Sequence, residues 1–481
     1  MSRFLTVTFF GLVLAFLFLS AMGRNLNHDE HQFIAPAAAL AYDGLQPYRD
    51  FPLFHLPNLV FLYAALFRVF DHPFLVARIF SVLCAFATAI LIFREAPRRI
   101  AGLAAVILLV LDPLFSFTTG RAWNHDSTAL LVALAIVFQV NAARRDSIPH
   151  AIASAICGGL AAGTRLTCAP ILIPLWLSIW FLPTPLRRRT IIASIYVGTA
   201  TAALAPSLYY LFAHTDAFLF GNFEFPRLPL LDPENERIRK TINPLRKLRF
   251  FFKEVALPSL PLFLAYIALT VRRRVDFTFP TALIVGILPF ALAGCFAPSR
   301  YQYQHFFIVI PLLVLGVVYG MPTTRASPRW AQNGLVVSTL ICSASYIYNI
   351  RNSPAFGWRD DWFPTRVARV AAQIRAHSPR GPILTLAPIY PLESGLKTYP
   401  EFATSPFAWK VARFVAPERR TRFHVVAAED LAALLAARPP GAILTGVDDR
   451  TLEKPLVDFS VAHRFVPIGL GKERILWMPR E

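Results

Sequence analysis

Asn27-His28-Asp29-Glu30-His31 sets two adjacent carboxylates between histidines, directly after an apolar run, Phe4–Met22. Charge at a bilayer edge is costly and marks function where it occurs. A carboxylate there can take a proton from a hydroxyl as a general base. Three further clusters carry complementary groups: Arg121, Trp123, Asn124, His125 and Asp126; Thr164, Arg165 and Thr167; and Ser299-Arg300-Tyr301-Gln302-Tyr303-Gln304-His305. Arginines hold a phosphate bidentately and stabilise it as a leaving group. Aromatic rings can stack on sugars. Such a set suits a lipid-phosphate sugar that enters sideways from the membrane and meets a hydroxyl acceptor.

Each group also has a plainer reading. Asp29 and Glu30 can serve the start of a helix near Phe33, where acids are favoured. Asn124-His125-Asp126 can cap the run that follows. Arg165 can snorkel at the interface, Tyr301 and Tyr303 can belong to an aromatic belt, and Arg300 can be a surface charge. His28 and His31, with Asp29, His125 and Asp126, offer nitrogen and oxygen ligands for a divalent metal, although no fixed metal spacing is present.

These residues need elements to hold them. The 481-residue chain is 55% hydrophobic, and only 16% of it is charged, against about 25% in an ordinary soluble domain. Phe4–Met22, Leu75–Phe93, Ile191–Phe212 and Trp330–Ile350 reach the length of about 20 residues that a span needs. The net charge of +19 sits in short turns: Arg94, Arg98 and Arg99; Arg144 and Arg145; Arg187 to Arg189; Arg272 to Arg274; Arg325 and Arg329. That is the positive-inside pattern and argues for anionic membrane lipid, not nucleic acid. The start resembles a signal peptide, but an uncleaved first span fits a chain that crosses repeatedly.

With Arg3 inside, the arginine clusters fix the path. Loop 23–52 lies outside. The segment Phe51–Phe70 contains Pro52, His55, Pro57, Asn58 and Arg68 and makes a poor span, so residues 53–70 read as an outer juxtamembrane helix. Spans follow at Leu75–Phe93, Ile100–Phe117, Thr128–Ala142, Ile148–Ala162, Ala169–Leu182, Ile191–Phe212, Phe250–Val271, Phe279–Phe296, His305–Met321 and Trp330–Ile350, with a polar loop at 213–249. The expectation is an all-α polytopic bundle of about 11 spans over residues 1–350, in the cell (inner) membrane. All four polar clusters then lie at outer span ends. Residues 351–481 read as a small extracytoplasmic α/β domain. It has strand-like runs at Ile383–Ala387 and Ala442–Thr445, a helical pattern at Ala428–Ala437, and a hairpin of Arg464–Ile468 with Arg474–Met478. The five cysteines, Cys84, Cys157, Cys168, Cys295 and Cys342, read as core residues without a disulfide framework.

The order of motifs resembles the GT-C glycosyltransferases of the PMT/ArnT type (glycosyltransferase family 39), bacterial relatives of the protein O-mannosyltransferases and aminoarabinose transferases. The likeness rests on Asp29-Glu30, Asp50-Phe51-Pro52-Leu53-Phe54, Phe74-Leu75-Val76-Ala77-Arg78-Ile79-Phe80-Ser81, Asn124-His125-Asp126, Gly158-Gly159-Leu160-Ala161-Ala162-Gly163-Thr164-Arg165, and Tyr301-Gln302-Tyr303-Gln304-His305 before Pro311. The resemblance implies a polyprenyl-phosphate sugar donor, an outer-face site and inversion at the anomeric carbon. It implies Asp29 as the base, with Glu30 and Asp126 in support. It implies substrate binding by Asn124, His125, Arg165, Arg300, Tyr301, Tyr303 and His305. Arg165 stands where the family more often has lysine, and the two are not equivalent at a phosphate. The acceptor, a glycan, lipid or protein hydroxyl, does not transfer with the resemblance. A transporter or flippase of a lipid-linked or small anionic substrate is the alternative; its polar site belongs near the midplane, whereas here the span centres are nearly free of charge. A non-catalytic scaffold docked through the tail is a third reading.

Overall fold

The computed structural model describes residues 3–232, 242–272, 278–321 and 359–480. The predicted span Trp330–Ile350, the boundary at 350, Cys342 and the arginines at 273, 274, 325 and 329 lie outside the described residues.

The chain is mostly helical. Five helices are long and apolar enough to cross a membrane: α1 (Arg3–Gly23), α4 (Pro73–Glu95), α7 (His125–Arg145), Phe279–Phe296 and Tyr303–Gly320. Two more candidates are bent pairs, Leu186–Ala203 with Ala205–Ala213 at 63° and Pro244–Ala256 with Leu260–Thr270 at 94°. Pro206 stands beside the first bend; Pro258 and Pro261 flank the second. Proline removes a helical hydrogen bond and kinks the chain. The other predicted spans fall on shorter apolar segments, α5 (Arg99–Val110), α8 (Ile148–Thr164) and Leu166–Phe181. Helix length alone therefore accounts for up to seven crossings among the described residues. At 53–70 the expected short helix is α3 (Asn58–Phe67); ten residues span about 15 Å, half of a bilayer core.

The loop expected at 23–52 contains instead a 16-residue helix, α2 (His28–Asp43), which begins at the polar cluster and not near Phe33. Its start is a capping box. Asn27 Oδ1 accepts the Asp29 N–H at 2.9 Å, and Glu30 Oε2 accepts the Asn27 N–H at 2.9 Å.

Small residues bring the spanning helices together, as expected where lipid gives no hydrophobic drive between them. The buried face of α7 carries Ala129, Val132, Ala133, Ile136 and Val140. In helix Phe279–Phe296, a Cβ on Gly294 would stand 1.9 Å from the Thr167 carbonyl oxygen. That close approach presses the helix onto the segment that carries Arg165.

The C-terminal part forms a four-stranded sheet in the order β1 (Ile383–Thr385), β2 (Ala442–Thr445), β4 (Ile475–Met478), β3 (Val466–Gly469). Strands β1 and β2 are parallel; β2–β4 and β3–β4 are antiparallel. Its core is continuous with α2 and α3: Phe33, Ile34, Leu59 and Tyr63 share one buried cluster with Ile383, Leu444 and Leu476. An ion pair and a hydrogen bond reinforce the contact, with Lys397 on Asp43 at 2.5 Å and Glu393 accepting the Phe74 N–H at 2.7 Å.

Candidate functional site

The start of α2, the turn before α7, the end of α8 and the loop before Val309 meet at one end of the bundle. Glu30 is the hub. Arg78 Nε donates to its Oε1 at 2.9 Å and Arg78 Nη2 to its Oε2 at 2.8 Å, with both side chains fully buried. The Ala122 N–H adds a bond to Oε1 at 3.0 Å. Burial raises the Glu30 carboxyl, but the Arg78 charge and hydrogen bonds outweigh it and hold the group below the usual range. Arg78 also donates to the carbonyls of Ala21, Arg24 and Asn25. This pair ties α1, α2, α4 and the 120–122 turn into one unit and leaves neither Glu30 oxygen open.

Asp126 is buried at the first turn of α7 and accepts the Gly120 N–H at 2.8 Å, so it shapes the same turn. Asn124 is the residue before α7 and makes no side-chain cap. Its amide turns toward the end of α8, with Nδ2 donating to the Thr164 carbonyl at 3.3 Å. Arg165 Nη1 donates to Asn124 Oδ1 at 2.8 Å and stands 3.0 Å from His125 Nε2; its Nε donates to Thr167 Oγ1 at 3.1 Å. The guanidinium lies 4.9 Å from the Phe307 ring centre, and His125 packs edge-on against the same ring at 4.6 Å.

Asp29 is different. Among the described residues its carboxylate takes two hydrogen bonds, both long: Gln32 Nε2 at 3.4 Å and Gln304 Nε2 at 3.5 Å. Burial pushes its carboxyl above the usual value, while the charges of His28, Arg165 and Arg121 pull the other way. Asp29 also lies within electrostatic reach of Arg300. Arg300 has no hydrogen bond or ion pair among the described residues and is half-buried. It is therefore a guanidinium able to accept an incoming anion. Arg165 is already engaged. Tyr301 packs on Phe250 at 4.5 Å and Tyr303 on Phe117 at 5.4 Å, so both rings brace the loop. His305 leaves its Nδ1 buried without a partner among the described residues.

No group of three His, Cys, Asp or Glu side chains among the described residues is arranged to hold a metal ion. His28 pairs with Asp448, and buried His31 is pushed down to about 3 by burial, then by the His28 charge. Three participants stand outside the predicted site residues. Arg78 is a lone charge inside an apolar run, which should signal a buried acidic partner. His55, stacked on Phe33 at 4.7 Å, and Asn58, with both amide atoms buried and unpartnered among the described residues, had no such signal.

A family profile described as dolichyl-phosphate-mannose-protein mannosyltransferase matches residues 54–210. That stretch holds Arg78, Asn124 to Asp126 and Arg165, but neither Asp29 nor Arg300. The backbone extends the likeness over the whole chain. The crystal structure of ArnT from Cupriavidus metallidurans bound to undecaprenyl phosphate superposes with a TM-score of 0.61, covering 99% of this chain and 98% of that one at 15% identity. The chain has the fold of that ArnT. The apo state of the same ArnT gives a TM-score of 0.60 over 98% of this chain and 97% of that one, also at 15% identity. At that identity the likeness establishes the fold. Curated protein sequences give no match. Asp29 and Arg300 sit on the two segments that flank the profile match, and the tertiary structure brings them to it.

Proposed function

We propose that the protein is an integral-membrane glycosyltransferase that moves a sugar from a polyprenyl-phosphate donor to an acceptor hydroxyl at the outer face of the inner membrane. One observation carries this reading: Asp29, a weakly bonded carboxylate, lies among Arg121, Arg165 and Arg300 where an apolar bundle ends. The undecaprenyl phosphate in the ArnT structure of the same fold supports a lipid-phosphate donor.

Asp29 takes the proton of the acceptor hydroxyl. The acceptor oxygen bonds to the anomeric carbon as the bond from that carbon to the phosphate oxygen breaks, and the electron pair leaves on the phosphate. Attack opposite the leaving group inverts the anomeric centre. Arg300 receives the phosphate, and Arg165 adds charge while holding Asn124 and His125. Glu30 and Asp126 act one step back, by shaping the turn that faces Asp29. Tyr301, Tyr303 and His305 line the donor side. Residues 1–350 form the transferase and 351–481 its extracytoplasmic domain.

Asp29→Asn keeps the size of the side chain and removes the base. Transfer from a polyprenyl-phosphate sugar should fall at least about 100-fold, with expression and membrane insertion unchanged. Full activity in that variant would sink the base assignment. Uptake into vesicles without covalent product would point instead to transport.

A further inference from the structure

Asp448 reaches the candidate centre from a part of the chain far away in sequence. It lies in the turn between β2 and the helix Arg450–Ala462. Its Oδ2 stands 3.2 Å from His28 Nδ1, and its Oδ1 accepts the Asp449 N–H at 2.7 Å. The carboxylate is 3% exposed, whereas His28 is 50% exposed. The turn is built to hold this pose. Glu453 accepts the N–H groups of Gly446, Val447 and Asp448 at 2.6, 3.1 and 3.0 Å. Gly446 has φ +76°, and a Cβ there would stand 2.0 Å from the Glu473 carbonyl oxygen.

His28 is the first residue of α2 and the neighbour of Asp29. A carboxylate on Nδ1 favours the ring that carries its proton there and fixes its orientation. We infer that Asp448 is a positioning residue: the C-terminal domain completes the transfer centre by fixing His28, and through it the first turn of α2 that carries Asp29. This rests on the function proposed above. His31 and Lys410 also act electrostatically on this cluster; neither is bonded to Asp448.

The test compares Asp448→Ala, Asp448→Glu and Lys397→Ala in the full chain. Lys397 pairs with Asp43 at the other end of α2, so its loss weakens domain docking without touching His28. Asp448→Ala should lower kcat about 10- to 100-fold, the scale of a misplaced reacting group, with KM for a polyprenyl-phosphate sugar unchanged. Asp448→Glu should restore part of the loss, and Lys397→Ala should keep kcat. Wild-type kcat in Asp448→Ala, or an equal loss in Lys397→Ala, would overturn the inference. Nitrogen-15 spectra of labelled histidine give a reading independent of transfer. The Nδ1–H tautomer of His28 should be present in the native chain and lost in Asp448→Ala; its absence from the native chain overturns the pairing whatever the reaction is. Activity in Asp29→Asn, by contrast, would defeat the base assignment alone.

Discussion

At the scale of single residues, neighbouring carboxylates do different work because their partners differ. Glu30 is saturated by Arg78 and two backbone N–H groups; Asp29 is nearly free. Removing one partner of a buried pair leaves an uncompensated charge and costs about 3–5 kcal/mol. Glu30→Gln should therefore lose that much stability, read from detergent-solubilised unfolding curves, while Asp29→Asn should be close to neutral. The signs with pH also differ. Glu30 is depressed in the fold, so its contribution is present above the ordinary carboxylate range and is lost as pH falls through its lowered value. Asp29 is raised and must be ionised to act, so the acid limb of kcat should sit above the ordinary aspartate value and vanish in Asp29→Asn. Arg300 has no hydrogen-bond or ion-pair partner among the described residues, so Arg300→Ala should cost little stability. Its loss should weaken lipid-phosphate binding about 10- to 100-fold, the worth of a charged hydrogen bond; unaltered binding would remove it from the phosphate site.

At the scale of elements, hydrophobic pattern and turn chemistry foretold much. The strand runs at 383 and 442, the hairpin near the end and the short helix after Pro57 all formed. Helix α2 is foreseen only as the plainer reading of Asp29 and Glu30, with its start placed late at Phe33, because His28, Asp29, Glu30, His31 and Pro36 break its apolar content and a capping box decides where it begins. Contacts between elements are fixed by missing side chains as much as by present ones. Gly294→Ala would push Phe279–Phe296 off the Thr167 carbonyl. Overpacking of this kind costs about 1–3 kcal/mol, and the shift should reach Arg165. Thermal stability and donor binding should fall together; loss of neither would show that the segment yields freely.

At the scale of the molecule, polarity has one direction. Arg98 and Arg99 lie at one end of α4 and α5, whereas Asp29, Arg165, Arg300 and the C-terminal sheet gather at the other end. In the orientation proposed here, which follows the positive-inside pattern, the arginine end faces the cytoplasm. In intact cells an impermeant maleimide should label Gln373→Cys, exposed on the helix Phe363–Ala376, and leave Arg99→Cys unlabelled. The reverse would invert the topology and move the candidate centre to the cytoplasmic face.

The sequence by itself determined a helical membrane bundle with a small mixed tail, because length, hydropathy and arginine placement act locally along the chain. It also marked the four polar clusters, since charge is scarce in this composition. Only the tertiary structure decided which charges neutralise one another. Arg78 chooses Glu30 over Asp29, Arg165 is taken by Asn124 and His125, and Asp448 arrives from the far end of the chain to hold His28. Electrostatic pairing depends on distances of a few ångströms between segments that lie from about 40 to about 420 residues apart. No spacing within a motif records those distances, and they separate the open Asp29 from its saturated neighbour.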